Sequence, residues 1–238
     1  MSEAKHILNR AESIDQYLTA CARSEYNRSA RENSHYIPYF LKGEDSSRLY
    51  TFMTFSRLLA DTDVVVLHSS ADHGYPHTRP PSVICLPESF IHSSTDSQLD
   101  NTLRHEAIHI HQRKMPALWK QKCVRDGWVP MKDTDIPQRF REKCRINPDT
   151  FYDTPFWAWK GEHVPLPIFI RENPRNIGEV AIQWLDLNSF TLFHEPPKSF
   201  VQMYGTPSQP EHPYEILAVK YANEGVDTQE ELLNKLRQ

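Results

Sequence analysis

Apolar residues recur at helical spacing near the start of the chain. Ile7, Leu8, Ala11, Ile14 and Leu18 share one face between Ser2 and Arg23, which predicts an amphipathic helix. A polar stretch over 24–35 follows. Asp45 to Ala60 reads as a second helix, with Asp45 or Ser46 as N-cap and Leu49, Phe52, Met53, Leu59 and Ala60 on one side. The period then shortens. Asp63–His68 carries a Val-Val-Val-Leu run and Ser82–Leu86 a second apolar run closed by Pro87; both read as short buried strands. Between them the segment SSADHGYPHTRPP is dense in turn formers. Thr95 and Gln98 form a capping box ahead of Leu99, Leu103, Ala107 and Ile110, so a helix runs to about Lys114, where Pro116 forces an end. Ala117–Arg125 and Ile136–Arg145 read as further helices. Aromatics and prolines crowd Asn147–Gly205, with strand-like pieces at Phe156–Trp159, Pro167–Ile170 and Val180–Leu187. Glu211–Asn223 returns to helical spacing, and Thr228 with Glu231 opens a last helix. This order predicts an α+β fold: an N-terminal helical extension over 1–60 packed on a main domain over 61–238.

Composition excludes several classes. The chain has 238 residues, enough for a substantial core, and 39% hydrophobic content argues against disorder. With 27 Lys+Arg against 31 Asp+Glu the net charge is −4, so no nucleic-acid partner is expected. The longest apolar runs fall far short of the roughly 20 residues that span a bilayer, so no membrane partner is expected either. The first residues lack the apolar core of a signal peptide. Cys21, Cys85, Cys123 and Cys144 are widely spaced, which suits reduced thiols and an intracellular, cytoplasmic protein. Nothing in the pattern fixes the oligomeric state. The surplus is histidine, 12 in all.

Two of these histidines stand at residues 105–109, His-Glu-Ala-Ile-His, inside the helix that begins at Thr95. Residues four apart on a helix project from one face, so His105 and His109 can share one tetrahedral Zn²⁺. Glu106 lies beside the metal without binding it, placed to take a proton from an attacking water. His111 is roughly 200° round the helix from His109, so it reads as a polar-face residue or one supporting the ligands from behind.

A catalytic zinc usually has three protein ligands. No glycine turn and third histidine follow His109, so the third must come from a distant segment. Glu215 is the best candidate, in HPYEILAVKYA, where Ala218 and Ala222 share its helix face and permit close approach of another helix. His212 is a rival, giving a three-histidine site, and His194 is another.

The combination of HEAIH, a distant E-x-x-A helix and the short strands before the motif resembles the gluzincin branch of zinc metallopeptidases. It is most similar to small intracellular ones called minigluzincins, and HPYEILA is similar to their HP-x-E-I-x-A segment. The resemblance covers two segments of about a dozen residues each. It implies a zincin-like domain with a small sheet beside the HExxH helix, His105, His109 and Glu215 as zinc ligands, and Glu106 as general base. It implies a peptide or protein substrate. The chain departs from the thermolysin and neprilysin pattern at Val219, where those have an Asp four residues after the ligand Glu. Two other readings stand beside the enzyme: a non-catalytic zinc protein acting as a binding or structural module, and an interaction module in which HEAIH is accidental.

A hydrolase also needs a donor for the oxyanion, and Tyr204, Tyr214, His194 and His212 are the downstream candidates. His73 and His77 could hold a second metal, but the crowd of turn formers favours an exposed turn. Phe151, Tyr152, Phe156, Trp157 and Trp159 could line a groove, although core packing is the commoner role. The basic residues over 113–145 are interspersed with acids and read as a solvated surface.

Overall fold

The computed structural model describes residues 3–151 and 154–238. Ser2, at the predicted start of the first helix, and Tyr152 lie outside the described residues. In chain order the elements are α1 (Glu3–Asp15), α2 (Tyr17–Arg23), α3 (Glu25–Ala30), α4 (Gly43–Phe55), β1 (Asp63–Leu67), β2 (His77–Arg79), β3 (Val83–Pro87), α5 (Glu88–Ser93), α6 (Asp96–Lys114) and α7 (Pro116–Arg125). There follow β4 (Trp128–Met131), α8 (Gln138–Arg141), β5 (Phe156–Trp159), β6 (His163–Phe169), β7 (Val180–Asp186), β8 (Leu192–Phe193), α9 (Lys198–Tyr204), α10 (Pro213–Asn223) and α11 (Gln229–Arg237). The fold is α+β.

The strands form two sheets. The first has the order β1-β3-β2, with β1 parallel and β2 antiparallel to β3. The second is an antiparallel meander in chain order, β4-β5-β6-β7-β8. Helix α6 begins at the capping box of Thr95 and Gln98 and ends where Pro116 opens α7. Its buried face, Leu99, Leu103, Ala107, Ile108 and Ile110, joins one core with Ile84 and Leu86 of β3, the tryptophans 119, 128, 157, 159 and 184, and Leu217 and Ala218 of α10. A second cluster, including Phe156, Val164, Leu166 and Leu185, lies on the meander. No helix among the described residues is long and apolar enough to cross a membrane.

Several predicted elements are altered by contacts remote in sequence. The first helix is two, because Gln16 takes a left-handed backbone (φ 52°). Glu12 then accepts the amides of Leu18 and Thr19, and Asp15 accepts that of Tyr17, so α2 starts on side chains of α1. The helix predicted over 136–145 shrinks to α8. Residues 143–145 instead pair with β6, Phe169 donating to the Lys143 carbonyl and Arg145 to that of Pro167. β6 also starts four residues before the predicted strand, through Pro165 and Pro167. The bond from Ile170 N to Glu179 O sets the alternation of the β6–β7 ladder, so both prolines fall where no N–H faces β7. The turn-rich segment after β1 contains β2, buried at all three positions.

Residues 3–60 attach through ion pairs of two buried arginines, Arg79 and Arg31. Arg79 of β2 meets Asp15 at 2.7 Å and Glu12 at 2.8 Å. Arg31 meets Asp72 at 2.9 Å and also donates to the Tyr17 hydroxyl and the Ile146 carbonyl.

Candidate metal centre

The helical period sets His105 and His109 on one face of α6. Helix α10 packs on α6, and Ala218 and Ala222, both buried, keep the contact close. Glu215, one turn before Ala218, thereby reaches the histidines. The Nε2 atoms of His105 and His109 are 3.0 Å apart. Glu215 Oε2 lies 3.2 Å from the second and 3.4 Å from the first. Donors about 2.0–2.1 Å from one tetrahedral zinc are about 3.3 Å from each other. The triangle therefore has the size of one face of a zinc tetrahedron, and its two nitrogens and one carboxylate oxygen are a donor set zinc accepts. Among the described residues these three are the group of metal-ligating side chains close enough to hold an ion.

The outer atoms of His109 and Glu215 each have a support. Gln112, one turn beyond His109, accepts from His109 Nδ1 at 2.7 Å and donates to the Tyr214 carbonyl at 3.0 Å. It fixes the tautomer that leaves His109 Nε2 free for a ligand role and ties α6 to α10. Asn147 donates to Glu215 Oε1 at 2.6 Å, while its own carbonyl oxygen accepts from the Asp149 amide. Gln112 was legible in principle from its i+3 spacing. Asn147 is 68 residues from its partner and carries no local signal.

The charges of the triangle act on one another. Burial disfavours an imidazolium at His109, yet Glu215 and Asp149 outweigh it and hold its pKa up at about 10. Burial opposes the charge on Glu215 too, but His109 and His105 keep its carboxyl well below the usual range. Burial and the neighbouring Asp149 carboxylate push Glu106 well above the usual range. A divalent cation on the triangle would act in the opposite sense on Glu106 and displace the proton of His109. Glu106 Oε2 is buried without a hydrogen-bond partner, and a buried unpaired carboxylate oxygen is costly unless something in the site uses it.

His105, Glu106 and Glu215 line a cavity of about 600 Å³ together with Tyr75, His77, Arg145 and Asn147. Arg145 pairs with Glu211 at 2.5 Å through Nη2, while its Nε is buried without an acceptor.

Other predicted residues lie elsewhere. His212 caps α10: its Nδ1 accepts from Tyr214 N and its Nε2 donates to the Thr154 carbonyl, so it is held away from the triangle. His194 is exposed. None of the four oxyanion candidates lines the cavity: Tyr204 accepts from Trp128 within an aromatic cluster, and Tyr214 is buried against Trp119 and Trp157. His111 is not on a polar face. It is buried and accepts from Trp119 Nε1 at 2.9 Å, holding α7 to α6. The exposed turn expected around His73 and His77 is largely buried: Asp72 and His77 are enclosed, joined through the Tyr36 hydroxyl. Trp157 and Trp159 are core, as is Phe156. In the basic stretch, Arg113 and Arg145 are not solvated; Arg113 donates to the Thr78 and Pro148 carbonyls.

In comparisons with known proteins, the chain matches no family model, none of the curated proteins and none of the solved structures.

Proposed function

We propose that the protein is a zinc-dependent peptidase with a zincin-like active site, hydrolysing peptide bonds in a peptide or protein substrate. The observation that carries this reading is the donor triangle of His105, His109 and Glu215 beside a buried, unpaired Glu106 oxygen in one cavity. A structural zinc site has no use for that oxygen.

Zinc held by the triangle supplies Lewis acidity, lowering the pKa of a water and polarising a carbonyl. The chain's own residues do the rest. Gln112 and Asn147 fix the orientations of His109 and Glu215. The Glu106 carboxylate takes a proton from the attacking water and returns it to the leaving amine. Arg145, whose side chain lines the same cavity, replaces the downstream tyrosines and histidines as the candidate donor to an oxyanion. The four buried free thiols suit a reducing compartment such as the cytoplasm.

The test is Glu106→Gln, with zinc measured on protein purified without a histidine tag. One zinc per chain in both proteins and a loss of peptide hydrolysis of about 10²–10⁴-fold in the variant are expected. Stoichiometric zinc with no hydrolysis by the wild type would favour a zinc-holding binding module. No zinc in either protein would end both readings.

A further inference from the structure

Two sheet edges border the cavity, and they differ in whether another strand can join them. The first is β2. Of its three residues, Thr78 turns its main chain outward, and both groups are taken. Its amide donates to Asp149 Oδ1 at 2.8 Å, and its carbonyl accepts from Arg113 Nη2 at 3.0 Å. The Thr78 hydroxyl closes on Asp149 as well. These side chains seal the edge of the first sheet.

The second edge belongs to β7. On one side β7 pairs with β6 along its whole length, Val180 to Asp186. On the other, β8 covers Trp184 and Leu185. Ladder alternation decides which groups face outward. Ile170 N bonds Glu179 O on the β6 side, whereas Asp186 N bonds Thr191 O on the β8 side. Val180 and Ile182 share the parity of Asp186, so their N–H and C=O groups point away from β6. Both residues line the cavity that holds His105, Glu106 and Glu215. Extending the β8 register would set Glu195 against Ile182 and Pro197 against Val180. Instead Pro196 and Pro197 turn the chain into α9, and a proline offers no N–H for a ladder. The start of β7 lies against the opposite wall. A Cβ added at Gly178 would come within 2.9 Å of the Tyr75 hydroxyl.

We infer that the open edge of β7 at Val180 and Ile182 is the dock for an extended peptide, which adds a strand there and runs past the metal triangle. The inference rests on the peptidase reading and specifies how the substrate is held. The edge offers two N–H donors and two C=O acceptors that match any extended peptide main chain. Such recognition is independent of sequence, with side chains read at alternate positions. The sealed β2 edge removes the competing dock.

The probe is a library of internally quenched decapeptides, assayed with the zinc-loaded protein. Ile182→Pro removes one outward N–H and no ladder bond to β6, as Pro165 and Pro167 already do within the same sheet. It is expected to lower kcat/KM at least tenfold, with zinc content and Tm retained. Because that variant could fold poorly, a cleaved peptide is also scanned by N-methylation against the wild type. Losses at every second position are expected. Hydrogen exchange on zinc-loaded Glu106→Gln with that peptide in excess is expected to slow the amides of Val180 and Ile182. Cleavage that ignores N-methylation, or protection that bypasses both amides, overturns the dock and leaves the peptidase intact. A zinc-loaded wild type that cleaves no library member overturns the peptidase reading and the dock with it.

Discussion

Gln112→Leu separates the stability of the fold from the affinity of the metal centre, because its two hydrogen bonds serve different states. The bond to the Tyr214 carbonyl ties α6 to α10 whether or not an ion is held. That carbonyl keeps its intrahelical bond within α10, so losing the second one costs about 0.5–1.5 kcal/mol, which appears as a lower Tm of apo and zinc-loaded protein alike. The bond from His109 Nδ1 at 2.7 Å acts differently. With Nε2 committed to a metal, Nδ1 must carry its proton, and in a wholly buried ring that N–H has no water to turn to. Loss of such a partner typically weakens metal affinity about 10–100-fold, or about 1.4–2.7 kcal/mol. Gln112→Glu keeps an acceptor for Nδ1 and strengthens it. It faces the Tyr214 carbonyl with an oxygen instead of a donor, so it is expected to bind zinc at least as tightly as the wild type while melting lower. The assay is competition with a fluorescent zinc chelator, paired with melts with and without zinc. An unchanged zinc affinity in Gln112→Leu, within about twofold, would refute the role of His109 Nε2 as a ligand.

Other predictions follow from charges. His109 stands at about 10 among the chain's own charges and must lose its proton to ligate, so chelator competition should show zinc affinity rising with pH between 7 and 10, by up to about tenfold per unit; a flat profile would contradict the assignment. Asp72 has a carboxyl held below the usual range: burial opposes its charge, but Arg31, His77 and two tyrosine hydroxyls outweigh it. Its contribution is therefore complete above the unfolded pKa of about 3.9 and lost as pH falls through the folded value. Asp72→Asn is expected to cost about 3–5 kcal/mol at neutral pH by leaving the buried Arg31 charge without its counter-ion, and to flatten acid unfolding in urea titrations. Burial pushes the Cys85 and Cys144 thiols up to about 12 and Cys21 to about 11, so iodoacetamide at pH 8 should leave these three intact in the native protein and alkylate them once unfolded; rapid native labelling would refute their burial.

What the sequence determined by itself was what one helix can determine. The spacing of His105 and His109, the capping box at Thr95 and the stop at Pro116 are local, because 3.6 residues per turn fixes which side chains share a face. The Glu215 helix was legible for the same reason, through Ala218 and Ala222. The tertiary structure alone decided the rest. Only packing brought Glu215, and not His212, to the two histidines, since His212 is consumed in capping the helix that Glu215 sits on. Asn147 and Asp149 reach the site from a turn that has no period to read. His111 and His77, which look polar in sequence, are buried because Trp119 and the Tyr36–Asp72 pair satisfy them. The contrast between the sealed β2 edge and the open β7 edge depends on register and on side chains tens of residues away. A helical period acts over one turn and is written in neighbouring residues; strand register, buried ion pairs and cavity walls join distant segments, and only the folded chain brings them together.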